Sequence, residues 1–326
     1  MKTESGILSL FLAVLIITML ACGGLALTQS PSPTEPIIAS PTAGQTIEPT
    51  MPSGDTVRTL MYAGEARTYV LHIPPSYDPS GPTALVLAFH GITLDAYEMM
   101  RISGFSAQSD DAGFILAYPN ASGEQRSWNG GHCCGESVRN HVDDVGFVRA
   151  IIEEISSLLN IDPKRIYATG FSNGAILVYR LACEMADQIA AIGPVSATQA
   201  HEDMQACHPS RPVPVIHFHG TDDEPNPYNG GVTPGGVRFV SVAEATGFWV
   251  EFNGCPDEAQ RTESGSIIHD VYAPCQAGAS VELYTITGGK HAWPGGEAVS
   301  RRMGEPNMEI SATALIWEFF LAHPMP

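Results

Sequence analysis

Residues 165–183 read RIYATGFSNGAILVYRLAC. An apolar, β-prone run at 165–169 passes directly into Gly170-Phe171-Ser172-Asn173-Gly174, and an amphipathic stretch from Ala175 to Cys183 follows. A serine with glycine two residues away on either side marks a tight strand-to-helix turn that exposes its hydroxyl, because no side chain fits where strand and helix cross so closely. The five-residue pattern alone is weak, and its place between a strand and a helix is what makes it informative. Further apolar runs bounded by turn residues read as short buried strands at 84–90 (ALVLAFH), 114–118 (FILAY), 190–195 (AAIGPV), 213–218 (VPVIHF) and 281–287 (VELYTIT). Residues 57–62 and 68–73, joined through Ala63-Gly64-Glu65, read as an antiparallel hairpin. Helical spacing is clearest at 145–159, where Val145, Val148, Ile152, Ile155 and Leu159 recur every three or four residues and Asp143 or Asp144 supplies a cap. Other helices are expected after Ser172, over 242–252 and over 311–321. Eight strands, a hairpin and then strands alternating with helices, predict an α/β fold with an open, mostly parallel, twisted sheet. Such sheets bind ligands at the carboxyl ends of their strands.

A serine hydroxyl is a poor nucleophile near neutral pH and needs a base, which in turn needs an orienting acid. On a sheet of this kind the chain order is Ser, acid, His. The strand at 213–218 runs into His219-Gly220-Thr221-Asp222-Asp223-Glu224, which puts a carboxylate just beyond a strand end. Order alone leaves Asp222 and Asp223 both open. The strand at 281–287 runs into Gly288-Gly289-Lys290-His291-Ala292-Trp293, so His291 lies on a glycine-rich loop where the base is required. His269, within the segment between Cys255 and Cys275, and His323, in the tail, are poor rivals. Acyl transfer also needs N–H donors aimed at the developing oxyanion. Asn173, directly after the serine, is one candidate, and Ile92, after His90-Gly91 at the end of the strand 84–90, is the other. His90 is expected to pack beneath this hole. His217 and His219 share a face of their strand, and packing around the strand end is favoured over metal binding. No metal and no cofactor are expected.

The chain has 326 residues, 44% hydrophobic and 16% charged, which excludes a disordered or fibrous protein. Asp and Glu number 35 against 16 Lys and Arg, a formal charge of −19. A phosphate-tracking surface needs clustered cations, so nucleic acid is not an expected partner, and an anionic membrane would repel the protein. The N-terminus carries Lys2 and then an uncharged run over residues 6–21 (GILSLFLAVLIITMLA), too short for a spanning helix and suited to a signal peptide. It stops at Ala21-Cys22-Gly23, a cysteine after a small residue, which resembles a bacterial lipoprotein signal with Cys22 as the lipidated first residue of the mature protein. A plain secretory signal with an incidental cysteine is the alternative, and both export the chain. Residues 22–53 are rich in Pro, Ser and Thr and read as an extended tether. The folded catalytic part is then expected over 54–326. The remaining six cysteines favour disulfides in an oxidising compartment. Cys255 with Cys275 is the favoured pair. Cys133 and Cys134 each reach a distant partner or join each other, and their spacing leaves both open.

Taken together, PPSY, LVLAFHG, WNGG with CCG, DDVGF, IYATGFSNGA, FHGTDD and GGKHAWPGG resemble the secreted polyhydroxybutyrate depolymerase and feruloyl esterase group, related to family-one carbohydrate esterases. The resemblance runs from about residue 56 to about residue 320. It implies an α/β-hydrolase fold and hydrolysis of carboxylic esters through Ser172, Asp223 and His291, and its His-Gly-Thr-x-Asp pattern selects Asp223 over Asp222. The chain departs from the pattern at Lys290, where a third glycine is common, and at Ile92. Trp128 and Trp293 fall in segments that flank the site in that group and are candidate substrate-pocket walls, with core packing as the alternative. The implied partner is an ester, of a plant cell-wall polysaccharide or of a polyester, and the implied location is extracytoplasmic. A serine peptidase on the same fold and a non-catalytic glycan- or polymer-binding lipoprotein are the rival functions. The first normally carries a propeller or large lid, and the second would be natural if a triad member were missing.

Overall fold

A computed structural model describes residues 51–233 and 236–326. The expected signal, the Cys22 lipidation site and nearly all of the tether lie outside the described residues. Among the described residues twelve strands follow in chain order: β1 (Gly54–Tyr62), β2 (Glu65–Ile73), β3 (Thr83–Phe89), β4 (Ile115–Pro119), β5 (Ile161–Phe171), β6 (Ile192–Val195), β7 (Val215–Gly220), β8 (Gly231–Val232), β9 (Arg238–Phe239), β10 (Gln260–Ser264), β11 (Ile267–Tyr272) and β12 (Val281–Ile286). Ten of them form one sheet in the order β1-β2-β4-β3-β5-β6-β7-β12-β11-β10, and β8 and β9 form a separate short ribbon. The six central strands, β4 to β12 in spatial order, are parallel. An antiparallel hairpin closes each edge.

The eight expected strands are all present, but the sheet has ten, and the count is corrected by the hairpin β10–β11. Its first strand, QRTES, is exposed at every residue and carries no apolar alternation. Pairing with β11 alone defines it.

The sheet is covered on both faces, as parallel strands require. Strand β3 shows how: Leu85, Leu87 and Phe89 enter one core with the helix Asp144–Leu158 and the helix Asn173–Glu184. The alternate residues Ala84, Val86 and Ala88 enter the other core, with Met99, Phe105, Trp293 and the closing helix Ala312–Ala322. Asp143 caps the helix Asp144–Leu158, its carboxylate accepting from the Gly146 N–H at 2.9 Å. Strand order reverses between β3 and β5, which hydrogen-bond side by side while their connections leave in opposite directions. A crevice at the carboxyl ends of such a pair is the binding place of open α/β sheets.

Cys255 is joined to Cys275, Cys183 to Cys207, and Cys133 to Cys134. The Cys255–Cys275 bond ties the base of the β10–β11 excursion to the end of the helix Val242–Phe252, where the Cys255 N–H also donates to Val250 O. Closing a loop of sequence separation 20 stabilises by ~3 kcal/mol in the chain-entropy model. The double replacement of Cys255 and Cys275 by Ser is therefore expected to lower the melting temperature by roughly 5–10 °C with little change in kcat. Scanning calorimetry on the two forms, with non-reducing peptide mapping of the wild type, checks both the size and the pairing.

Candidate active site

The turn at Ser172 is built by crowding. A Cβ added to Gly174 would lie 2.3 Å from the Phe89 carbonyl oxygen, and one added to Gly170 would lie 2.6 Å from the Gly174 backbone. Both contacts are with backbone, which cannot step aside. Strand β5, strand β3 and the helix Asn173–Glu184 therefore meet at van der Waals distance only because glycine stands at both positions. Ser172 takes up the remaining strain, at φ 54° and ψ −120°, a region that costs a non-glycine residue about 1–3 kcal/mol. Its backbone is fixed on both sides: its N–H donates to Val195 O at 2.9 Å, and its carbonyl accepts from Ala175 and Ile176. Its side is open enough to leave the residue 8% exposed. Gly174→Ala is expected to pry the helix from β3 and move the Asn173 N–H. Loss of at least about tenfold in kcat together with a lower melting temperature should follow, measurable with any chromogenic ester.

His291 and Asp223 arrive from the neighbouring strands β12 and β7. The His291 Nδ1–H donates to the Asp223 carboxylate, at 2.8 Å to Oδ2 and 3.0 Å to Oδ1. Asp223 also accepts from the Asn226 N–H at 2.9 Å. Both side chains are buried. The two loops approach so closely that a Cβ on Gly220 would lie 2.2 Å from Gly289 O, and the Asp222 N–H donates to the same carbonyl. Asp222 is exposed, and its carboxylate accepts only from the adjacent Thr221 hydroxyl. Of the two aspartates, Asp223 is the one that meets His291. The His291 ring lies against Phe171, the residue before Ser172, with centroids 4.8 Å apart. No hydrogen bond joins the Ser172 hydroxyl to His291, a link that in a free enzyme often tightens only around a bound reactant.

The turn after β3 faces the same point. A Cβ on Gly91 would sit 3.3 Å from the Ser172 Cβ, so the backbone leading to Ile92 borders the serine. His90 lies fully buried beneath it as expected, with Nδ1–H donating to Gly91 O at 2.7 Å and Nε2 accepting from the Ala121 N–H at 3.1 Å. Burial pushes its pKa down to about 4. His90 is therefore a neutral imidazole of fixed tautomer that braces the turn.

Trp128 and Trp293 are corrected. Both indoles are 0% exposed, so neither is a pocket wall. Trp128 donates its indole N–H to His90 O and packs edge-on against Phe89, and Trp293 donates to the Thr313 hydroxyl beside Phe105. Large apolar rings beside strand ends gain more by burial than by facing water, and each finds a partner for its N–H. The Trp128 backbone is also clamped by the Asn173 side chain, its N–H donating to Asn173 Oδ1 at 2.6 Å and its carbonyl accepting from Nδ2 at 3.1 Å. That second role of Asn173 has no signature in the sequence.

A cavity of about 320 Å³ adjoins His291, lined by Asp222, Glu224, Pro225, Lys290, Arg302 and Met303. A larger cleft of about 600 Å³ lies along the last turns of the helix Asn173–Glu184, by Arg180, Cys183 and Glu184, and none of Ser172, Asp223 and His291 lines it. The rivals of His291 are engaged elsewhere: His269 with Glu282 on β12, and His323 with Ser280 and Phe319.

The fold and the elbow at Ser172 define an α/β-hydrolase, and solved structures agree. An acetyl xylan esterase from Aspergillus awamori superposes with a TM-score of 0.54 at 13% identity, covering 73% of this chain and 94% of its own. Esterase 2 of Thermogutta terrifontis superposes with a TM-score of 0.55 at 14% identity, covering 82% of this chain and 94% of its own. A family model described as phospholipase/carboxylesterase matches residues 140–234. In sequence, feruloyl esterase B of Piromyces equi is 33% identical over 69% of this chain, a match that spans 42% of that enzyme's length. The putative esterase NocK of Nocardia uniformis subsp. tsuyamanensis is 31% identical over 96% of this chain and 97% of its own. The chain belongs to the polyhydroxybutyrate depolymerase and feruloyl esterase group of the α/β-hydrolase superfamily. It is a serine hydrolase of carboxylic esters.

Proposed function

We propose that this esterase works through Ser172, His291 and Asp223 on esters of polymers outside the cytoplasm. The observation that carries the triad is the buried Asp223–His291 hydrogen bond whose imidazole lies against the residue preceding the strained serine. Ser172 Oγ attacks the ester carbonyl carbon as its proton passes to His291 Nε2. The oxyanion is received by the N–H groups of Asn173 and Ile92, the first of which starts a helix and has no intrahelical partner. Collapse breaks the bond to the alcohol, which leaves with the proton from His291. Water then adds to the acyl-enzyme with His291 again as base, and the acid leaves as Ser172 regains its proton. Asp223 holds the tautomer with Nδ1 protonated and stabilises the imidazolium.

The rim beside His291 bears Lys290, Arg302, Asp222 and Glu224. Charged groups of both signs suit a hydrated sugar alcohol better than an apolar polyester chain, so we place feruloyl or acetyl esters of xylan ahead of polyhydroxyalkanoates. Feruloyl esterase B of Piromyces equi points the same way. Cys22 would tether the enzyme to the outer face of a membrane, since a chain of charge −19 has no electrostatic affinity for anionic lipid. A hydrolysis panel of methyl ferulate, acetyl xylan, hydroxybutyrate oligomers and p-nitrophenyl acetate tests the substrate class. Highest kcat/KM on hydroxybutyrate oligomers would reverse our order. Fractionation of cells expressing wild type and Cys22→Ser tests the location, and wild-type activity found free in the medium would refute the anchor.

A further inference from the structure

Behind the acid lies a line of buried polar groups that the reaction as written does not use. His217 and His219 point to one face of β7, with parallel rings 5.2 Å between centroids. Tyr179, on the helix Asn173–Glu184, bonds to His217 Nδ1 at 2.5 Å, His217 Nε2 to His219 Nδ1 at 3.0 Å, and His219 Nε2 to Asn226 O at 2.7 Å. All three side chains are buried. We propose that His219 is a positioning residue for the Asp223–His291 pair, locked into one tautomer by a donor chain that begins at the Tyr179 hydroxyl. The proposal rests on the reading of Asp223 as the acid that orients His291.

The direction of the chain follows from its last member. A backbone carbonyl can only accept, so His219 Nε2 carries the proton and His219 Nδ1 must accept. His217 therefore presents Nε2–H to it, His217 Nδ1 must accept in turn, and the Tyr179 O–H supplies that proton. Each bond fixes the tautomer of the next ring. Burial lowers the pKa of both imidazoles, against the opposing pull of Asp223 on His219, which keeps both rings neutral. A neutral His219, with Nε2 3.7 Å from Asp223 Oδ2, leaves the Asp223 charge to His291.

Asn226 transmits the effect. Its carbonyl is gripped by His219, and its own N–H donates to Asp223 Oδ1 at 2.9 Å. The turn carrying the carboxylate is thus held from beneath through Asn226. Without the His219 donor the part-buried Asn226 carbonyl loses its partner, and the turn is released from the hold that fixes it. A displacement on the order of 1 Å at a reacting group costs about 10²-fold in rate.

The test uses the full chain as wild type, His219→Leu, His219→Gln and Tyr179→Phe. It measures kcat and KM on p-nitrophenyl acetate, the melting temperature, and the far-downfield proton resonance of the His291 Nδ1–H bond to Asp223. His219→Leu is expected to lower kcat about 100-fold with KM within about twofold, and to shift or broaden that resonance. His219→Gln, whose amide restores a donor toward Asn226 O, should recover kcat to within about tenfold of wild type. Should His219→Leu fail to fold, Tyr179→Phe decides, since it removes one oxygen and leaves the ring: a lower kcat with a perturbed resonance supports the chain. Wild-type kcat and resonance in a folded His219→Leu or in Tyr179→Phe overturn the proposal, as does a Gln variant no better than Leu. The resonance reports on the Asp223–His291 pair without turnover. An active Ser172→Ala would thus refute the nucleophile assignment while leaving the positioning result readable.

Discussion

Ser172→Ala should abolish all but a residue of hydrolysis, lowering kcat by about 10⁴-fold or more while the protein keeps its fold. The side chain lost is a single hydroxyl, and the backbone contacts that hold the elbow, to Val195, Ala175 and Ile176, are main-chain bonds that alanine keeps. Alanine at φ 54° is as strained as serine, so the melting temperature should move little. KM should also change little, because the interaction removed exists chiefly in the transition state. The same variant should no longer react with a fluorophosphonate probe. More than about a tenth of wild-type activity in the purified variant would mean that another group attacks the ester.

The second large effect is expected at Asp223. Asp223→Asn keeps the volume but presents an amide that can donate toward His291, favouring the tautomer with Nδ1 as acceptor and the proton on Nε2, where the base must be free. A loss on the order of 10⁴ in kcat should result. Asp222→Asn should cost less than about threefold, since that carboxylate is exposed and touches only the hydroxyl of its neighbour. Steady-state kinetics of the two variants side by side decide between the adjacent aspartates, and a larger effect at Asp222 would exchange their roles.

Much of this architecture was legible because it rests on local signals. Strands such as ALVLAFH are continuous apolar runs because both faces of a parallel sheet are buried, and the helix at 144–158 announces itself by spacing and an aspartate cap. Ser172 and His291 stand out because glycines crowd the backbone around them. What stays hidden depends on the partner a segment finds and not on its own apolar pattern. Strand β10 has no apolar face and exists through pairing with β11. Trp128 and Trp293 are both fully buried, but an indole in a loop reads the same in the sequence whether it faces solvent or core. The Asn173 clamp on Trp128 spans 45 residues, and the Tyr179–His217 bond spans 38. No periodicity carries such links. His217 and His219 were visible as a pair on one face of a strand, yet only the Asn226 carbonyl reveals which way their protons run.

The placement of the four strand ends divides the machinery in two. Ser172 and the turn at Ile92 ride on β5 and β3, whereas Asp223 and His291 ride on β7 and β12, and each pair of strands is hydrogen-bonded side by side. Strand β6 lies between the halves, and at its end the Ser196 hydroxyl donates to Ala292 O, next to the base. In the proposed reaction, attack and proton transfer are carried from two strand pairs that meet across β6. The two halves still touch: Tyr179, on the helix that leaves Ser172, bonds to His217 on β7 at 2.5 Å, and Phe171 at the end of β5 lies against the His291 ring. Substitutions in loops of opposite halves that share none of these contacts should then combine nearly independently, whereas those at Ser172, Asp223 and His291, which act as a unit, should not.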